Sequence, residues 1–147
     1  MFLQRQELTL ANTHNMDECT KAENRRMEIK KVNLKSKLNK FNEYWTPKIV
    51  GELNNQFVKL AKFKGNFVMH MHEQEDELFF VVEGKLFIEL TEKTLELNPG
   101  EFVIIPKGIK HKPYAPEEVS VMLFEPASTL NTGNKENILT VSELDKI

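Results

Sequence analysis

Short apolar runs separated by turn residues fill the middle of the chain. Runs of this length, bounded by Asn, Gly and Pro, are typical of β-strands. The predicted strands are Lys48–Leu53, Gln56–Phe63, Phe67–His72, Glu77–Val82, Leu86–Leu90, Leu95–Leu97, Glu101–Ile105, His111–Tyr114 and Val119–Phe124. Asn54 and Asn55 are predicted to form a hairpin turn between the first two. Because no helix is predicted between these runs, the pattern indicates an all-β fold, an antiparallel sandwich or a small barrel.

The segments that flank the strands have different patterns. Apolar residues recur at helical spacing within Val32–Tyr44, which predicts a short N-terminal helix with Asn33 as its cap. The first 26 residues are polar without a period, which is typical of a disordered or loosely packed extension. The predicted organisation is an extension at 1–26, a helical segment at 27–46, a barrel at 47–125 and a polar tail at 126–147. A last short element is predicted in the tail at Leu139–Leu144.

The composition excludes several classes of protein. A chain of 147 residues is long enough for one domain with a buried core. Its net charge of −2 does not favour a nucleic-acid partner. The single Cys19 excludes a disulfide framework and a CxxC metal site. No apolar run has the ~18 residues that a membrane span needs, and Met1–Thr20 lacks the apolar core of a signal peptide, which indicates the cytoplasm.

Three histidines and one glutamate in the strand region form a candidate metal site. His70 and His72 are one pleat apart and therefore share a face of their predicted strand. Glu77 begins the next strand after a four-residue turn, and His111 begins a later one. Three imidazoles and one carboxylate suit Fe, Mn, Ni, Co, Cu or Zn, and leave two open positions on an octahedral ion. Each residue alone has a plainer interpretation, as a surface His-x-His pair, a member of an acidic run, or ordinary surface charge.

The spacing of these residues and of the nearby glycines resembles the two motifs of the cupin superfamily. The first motif is matched by His70-Met71-His72, four residues, Glu77, six residues and Gly84. The second is matched by Gly100, five residues, Pro106-Lys107-Gly108, two residues and His111. Two positions depart from the pattern, since Gly65 lies one residue too close to His70 and Ala115 replaces a final Asn. The resemblance is nearest to small single-domain cupins that are described as mannose-6-phosphate isomerase-like.

The resemblance implies a cupin (jelly-roll) antiparallel β-barrel around one divalent metal ion, which the three histidines and Glu77 would hold. Counting by twos from Glu77 places Phe79 and Val81 inside this barrel. Further candidates for an apolar pocket are Val68, Phe102 or Val103, Ile104 or Ile105, and Tyr114. We predict that the Tyr114 hydroxyl orients a substrate at the metal, as a catalytic residue.

The opposite face of the same strand carries Leu78, Phe80 and Val82, which must be buried against a second layer. In a cupin that layer is a second sheet or a partner subunit, so the resemblance implies a homodimer.

The distribution of arginine bears on the substrate. All three arginines lie in the first 26 residues, and lysines such as Lys59 and Lys62 are interpreted as solvated surface. Because phosphate recognition favours the Arg fork, their absence from the barrel argues against a phosphosugar. The leading hypothesis is a metal-dependent enzyme of the dioxygenase class that acts on a small molecule. The alternatives are a sugar-phosphate isomerase and a cupin that binds a metal or small ligand without turnover.

Overall fold

The computed structural model describes residues 29–147, and the predicted extension at 1–26 lies outside this range. Within it, residues 32–147 form one compact unit. The helix α1 spans Leu34–Leu38. The strands are β1 Lys48–Leu53, β2 Gln56–Asn66, β3 Glu77–Glu83, β4 Leu86–Leu90, β5 Thr94–Leu97, β6 Phe102–Ile105 and β7 His111–Pro126.

All strand pairs are antiparallel, and the strands follow the order β1-β2-β7-β3-β6. The long strand β7 connects the two parts of the sheet. Its first residues, His111–Tyr114, pair with β4, whereas Ser120–Phe124 pair with β3. Strand β2 pairs with the opposite edge of β7 over nearly the whole length of that strand. The predicted all-β antiparallel fold is confirmed.

Several strand boundaries differ from the prediction. The last two predicted strands are one continuous strand, β7. Strand β2 continues through Gly65, where the register shifts and a φ of +79° is accommodated because glycine lacks a side chain. The predicted strand Phe67–His72 is extended chain with one isolated bridge, between His70 and His111. Its other backbone hydrogen bonds join Phe67 N to the Pro113 carbonyl oxygen of β7 at 3.0 Å and join the segment to loops, for example from Gly108 N to the His72 carbonyl oxygen at 2.7 Å. No helix or strand forms at Leu139–Leu144.

Local sequence signals explain the hairpin and the helix. Asn54 and Asn55 have φ values of 49° and 62°, the left-handed conformation that the predicted tight turn requires. The Asn33 side chain accepts a hydrogen bond from Ser36 N at 2.9 Å, so the predicted cap is confirmed. The helix is shorter than Val32–Tyr44 because asparagines follow Leu38, and asparagine is a poor helix former.

The core lies inside the barrel, and strand alternation determines which side chains enter it. Along β3, Glu77, Phe79 and Val81 are buried, whereas the residues between them are only half-buried. The predicted inward positions of Phe79 and Val81 are therefore confirmed. On β6, Val103 and Ile105 pack inward, while Phe102 and Ile104 are 60% and 52% exposed on the outer face. Among residues 29–147 the structure contains no helix that is long and apolar enough to cross a membrane.

Candidate metal centre

Four buried side chains converge at one end of the barrel. One potential ligand atom from each lies within 4.8 Å of the others. The side chains are those of His70, His72, Glu77 and His111, here called the His–Glu cluster. They come from the extended segment before β3 and from the first residues of β3 and β7. Each residue is at most 4% exposed, so the structure brings all four predicted ligands together in a site shielded from solvent.

Glu77 lies between two of the imidazoles. Its Oε2 atom is 3.2 Å from His111 Nε2 and 3.2 Å from His72 Nε2. The contact with His111 has hydrogen-bond geometry, whereas His72 Nε2 and His70 Nε2 are buried without a hydrogen-bond partner. Buried polar atoms normally have partners. A metal site without its ion would have such imidazole nitrogens, buried beside a carboxylate and without hydrogen-bond partners.

Backbone carbonyl groups orient two of the rings. His70 Nδ1 lies 3.0 Å from the Val68 carbonyl oxygen, and His111 Nδ1 lies 3.0 Å from the Ile109 carbonyl oxygen. Because a carbonyl oxygen only accepts hydrogen bonds, each Nδ1 carries the proton and donates it. Such an interaction fixes the tautomer and directs Nε2 toward a metal in histidine–metal sites. Both rings are thus oriented by the backbone two residues earlier in the chain.

The environment sets the charge of the cluster. Burial lowers the pKa of His70 to about 4, so this imidazole is neutral near pH 7. Burial alone would raise the pKa of Glu77, but the hydrogen bond from His111 and the close approach of His72 outweigh it and lower the pKa to about 2. Burial opposes protonation of His111, yet its hydrogen bond to Glu77 raises the pKa above the usual value. Glu77 is therefore an ionised carboxylate surrounded by the three imidazole rings of the cluster.

These residues fit a divalent transition metal. The donors are three imidazole nitrogens and one carboxylate oxygen, a set that such ions accept. Two of the imidazoles also have the backbone anchor that metal-binding histidines usually have. The donor set agrees equally with Fe, Mn, Ni, Co, Cu or Zn.

A small, mostly apolar cavity of about 20 Å3 lies beside the cluster. Its volume is enough for about one water molecule. Its apolar lining consists of Trp45, Pro47, Phe63, Phe67, Phe79, Pro113 and Leu123. Its polar lining consists of His70, Glu77, Glu125 and Asn131. The predicted apolar pocket therefore exists, although of the residues predicted for it only Phe79 lines the cavity.

The sequence prediction missed the aromatic stack that leads to the cluster. The Trp45 ring lies 4.2 Å from that of Phe63 and 4.8 Å from that of Phe67, between centroids. Phe67 in turn contacts His70 edge-on at 5.3 Å. Phe67 is three residues from His70 on chain that is not a regular strand, so strand alternation gave no signal for it. Through this stack, the fluorescence of Trp45 can report changes at the His–Glu cluster.

Tyr114 is not part of this site. It is three residues from His111 along β7, an odd separation that places it on the opposite face of the strand. Its ring stacks on Phe87 at 5.0 Å, and Lys112 Nζ lies 5.9 Å from the ring centroid. The structure therefore does not bring Tyr114 to the His–Glu cluster, because strand alternation turns its side chain to the other face of β7.

A buried ion pair near the cluster was also missed. Lys59 is 1% exposed rather than solvated, and its Nζ donates to Glu125 Oε1 at 2.6 Å. Glu125 lines the cavity, and its second oxygen is buried without a hydrogen-bond partner. Burial, together with the charge of Glu77, raises the pKa of Glu125 above its usual range, although Lys59 opposes this. Strand alternation gave a signal for Lys59, which shares the inward face of Ala61.

Known proteins resemble this chain in sequence and in structure. A family model described as a cupin domain matches residues 57–125. A crystal structure of a cupin-2 domain containing protein from Shewanella frigidimarina is 42% identical, with a TM-score of 0.64, and the match covers 65% of this chain and 93% of that one. Protein NMB1881 from Neisseria meningitidis is 28% identical, with a TM-score of 0.61, over 66% of this chain and 99% of that one.

A curated relative is similar over a shorter region. The uncharacterized protein YdbB of Bacillus subtilis is 41% identical over 64 residues, which are 43% of this chain. The match spans 57% of the length of that relative. The 42% identity to nearly the whole of the Shewanella protein, the matching domain model and the shared barrel agree with one another. The chain therefore belongs to the cupin superfamily.

Proposed function

We propose that the protein is a mononuclear metal cupin in which the His–Glu cluster holds one divalent transition metal ion. The observation that carries this proposal is the convergence of four buried donor atoms within 4.8 Å. The hydrogen bonds from Nδ1 of His70 and His111 to backbone carbonyl oxygens support it, because they leave Nε2 of each ring available to bind a metal ion. When bound, such an ion supplies Lewis-acid or redox chemistry to a small molecule beside it.

An enzyme of the dioxygenase class is the reaction we favour. The apolar and aromatic lining of the cavity suits a small, largely apolar or metal-chelating substrate. The same lining excludes bulk water, which strengthens electrostatic interactions in the site and protects reactive species from side reactions. The four protein donors would leave two positions of an octahedral ion for small molecules.

Two other functions use the same site. A sugar-phosphate isomerase is less favoured, because the barrel contains no arginine to bind the phosphate and all three arginines lie before residue 27. A binding protein without turnover would share the metal and the cavity. These alternatives differ in turnover, which can be measured directly.

The metal site is tested by elemental analysis of protein purified without metal-affinity chromatography and then exposed to Fe2+, Mn2+, Co2+ or Zn2+. Wild-type protein should retain one ion per chain, whereas His72→Ala and His111→Ala should retain far less. His14→Ala is the matched control, because His14 lies outside both motifs. Equal metal content in all four proteins would show that the site is wrongly assigned.

The reaction class is tested on the metal-loaded protein. Oxygen consumption with small aromatic and chelating compounds would support a dioxygenase, whereas interconversion of sugar phosphates, followed by NMR, would support an isomerase. Tight metal binding with neither activity would favour the binding protein.

We also propose a homodimer formed through the outer face of the sheet. Phe102 and Ile104 on β6 are exposed, and their cross-strand partners Phe80 and Leu78 extend the same apolar face onto β3. Strand β6 ends the strand order of the sheet, so it also offers an edge for pairing. A second copy of the chain presents the same apolar surface and can cover it by two-fold symmetry.

A further inference from the structure

A thin segment of chain separates two spaces at one end of the barrel. The inner space is the 20 Å3 cavity beside the His–Glu cluster, and the outer space is a cleft of about 310 Å3 whose lining includes His72. Residues 127–134, here called the C-terminal cover, contribute to both. Asn131 lines the inner cavity, whereas Leu130 and Asn134 line the outer cleft. The cover is therefore the wall between the two spaces.

The cover lies directly against the imidazole of His70. Gly133 has a φ of +51°, and a Cβ atom at this position would overlap the Met71 carbonyl oxygen. The same Cβ would lie 3.2 Å from His70 Cδ2, the ring atom next to Nε2. Only glycine allows the backbone to approach so closely in this conformation. The cover thus shields His70, but not His72, from the outer cleft.

Three hydrogen bonds join the cover to the turn region beneath it. Asn134 N donates to the Met71 carbonyl oxygen at 3.0 Å, and Met71 N donates to Asn134 Oδ1 at 3.2 Å. Ser128 Oγ donates to Glu75 Oε1 at 3.0 Å. These bonds are near the surface, where water can replace each of them at little cost. The attachment is therefore reversible without disruption of the barrel.

Hydrogen bonds within the tail preserve the shape of the cover itself. The Thr132 and Thr140 hydroxyl groups are 2.8 Å apart, and Asn131 Nδ2 donates to the Leu139 carbonyl oxygen at 2.8 Å. Asn131 Oδ1 also accepts from Val141 N at 2.9 Å. These bonds connect the cover to residues 139–141, of which Leu139 packs against the core of the barrel. This end of the cover is therefore anchored, whereas its contacts with Met71 and Glu75 can exchange with water.

We propose that the C-terminal cover moves to join the inner cavity with the outer cleft, and that the joined space binds a neutral or positively charged small molecule next to the His–Glu cluster. This inference rests on the proposed metal site and specifies its ligand. The inner cavity alone holds little more than a water molecule, whereas the outer cleft of about 310 Å3 has the size of a small-molecule site. Joining the two would extend that site to His70 and Glu77. The charged side chains that line the outer cleft are Glu73 and Glu75, which repel anions.

The decisive comparison is between two glycine substitutions. Gly133→Ala forces the cover away from Met71, whereas Gly100→Ala imposes similar backbone strain in open space, since Gly100 has a φ of +87° and a Cβ atom there would meet nothing within 4 Å. Each protein is loaded with Co2+, and transfer of the metal to neutral 1,10-phenanthroline or to anionic EDTA is timed. Gly133→Ala should release the metal to phenanthroline about tenfold faster than wild type, the effect of weakening roughly one to two hydrogen bonds. Gly100→Ala should match wild type.

Each outcome of this experiment bears on one part of the proposal. Equal rates for Gly133→Ala and Gly100→Ala would overturn the moving cover. Phenanthroline should remove Co2+ from the protein faster than EDTA at equal concentration. The Glu73→Gln substitution should reduce the ratio between these two rates. A faster reaction with EDTA would overturn the preference for neutral or cationic ligands.

A second measurement separates the cover from the metal. In metal-free protein, diethylpyrocarbonate modification of His70 and His72 is followed by peptide mass spectrometry. Modification should be faster in Gly133→Ala than in Gly100→Ala, whether or not the cluster binds a metal. Asn134→Ala, which removes one side-chain bond without backbone strain, should give a smaller acceleration in the same direction. If folded Asn134→Ala and Gly133→Ala both react at the wild-type rate, the cover does not control access, whereas failure of all variants to bind metal contradicts only the proposed function.

Discussion

His70 and His111 are joined by two backbone hydrogen bonds across 41 positions of sequence. His70 N donates to the His111 carbonyl oxygen at 3.0 Å, and His111 N donates back to the His70 carbonyl oxygen at 2.9 Å. This bridge is isolated from the ladders of the neighbouring strands. It fixes the two Cα positions, and the carbonyl anchors of both Nδ1 atoms fix the rings. The backbone therefore holds His70 and His111, one residue from each motif, in fixed positions relative to each other.

The buried Lys59–Glu125 pair should respond differently to single and double substitution. Glu125→Met alone should lower the free energy of unfolding by about 3–5 kcal/mol, because it leaves the Lys59 ammonium group buried without its partner. The double variant Lys59→Met/Glu125→Met should be as stable as wild type or more stable by about 1–4 kcal/mol. Urea unfolding of metal-free protein measures both.

The Lys48–Asp145 pair is the matched control for this cycle. Lys48 is also buried, but Asp145 is mostly exposed and Glu43 Oε1 lies 3.6 Å from Lys48 Nζ as a second carboxylate. Asp145→Asn should therefore cost less than about 1 kcal/mol. A double Lys59→Met/Glu125→Met variant that is as unstable as Glu125→Met alone would contradict the prediction, because it would show that the intact pair stabilises the fold.

The stability of the metal-free protein should depend on pH through His70. Its pKa is lowered to about 4 in the folded state, against 6.5 as the ordinary value. The unfolded chain therefore binds more protons between these values, and the contribution of His70 to stability is present above pH 6.5 and lost as the pH falls toward 4. Wild type should lose more stability than His70→Gln between pH 7 and pH 4.5, measured by urea unfolding.

The control for this prediction is His14→Gln, which should keep the wild-type pH dependence. Identical pH profiles for wild type and His70→Gln would mean that His70 does not resist protonation, and that burial is not the main influence on this imidazole.

Trp45 should report metal binding by fluorescence. It is the single tryptophan of the chain, and its ring stacks on Phe67, which contacts His70. A paramagnetic ion such as Co2+ at the cluster should quench its emission with a stoichiometry of one ion per chain. The variant His111→Ala should lose this quenching, whereas Zn2+, which is diamagnetic, should compete for it without quenching strongly. Quenching that persists unchanged in His111→Ala would place the ion elsewhere.

The apolar outer face should control the oligomeric state. Ile104→Lys places a charge on the exposed face of β6 and should convert a dimer into a monomer in sedimentation velocity experiments. Lys85→Ala, at an exposed position outside this face, is a suitable control and should leave the mass unchanged. A wild-type chain that sediments as a monomer at high concentration would contradict the proposed dimer.

Local signals predicted most of the fold. The turn at Asn54 and Asn55 and the bounds of β1 and β4 follow from short-range chemistry, namely left-handed turn residues and period-two alternation. The four residues of the His–Glu cluster could be grouped from the sequence because the spacing of the two motifs brings them together. The irregular form of Phe67–His72 was not predicted. Its backbone partners are far away in sequence, in β7, in the turn before β7 and in the tail, and a local pattern does not include them.

The failures at the site have physical causes as well. Tyr114 was predicted to orient a substrate at the metal, although its odd separation from His111 along β7 turns its side chain to the opposite face. Lys59 was interpreted by its charge alone, yet a partner 66 residues away makes its burial possible. The contact of Gly133 with Met71 depends on how the tail folds back, which has no local signature. Long-range pairings are therefore what the sequence pattern could not supply.

The most direct test of the proposed metal centre is X-ray absorption spectroscopy of the protein loaded with one Co2+ or Zn2+ per chain. The His–Glu cluster predicts a first shell of nitrogen and oxygen only, with the multiple scattering of about three imidazoles. His111→Ala, if it retains any ion, should show one imidazole fewer. A first shell that contains sulfur, from Cys19 or a methionine, or that lacks imidazole scattering would contradict the proposed metal centre.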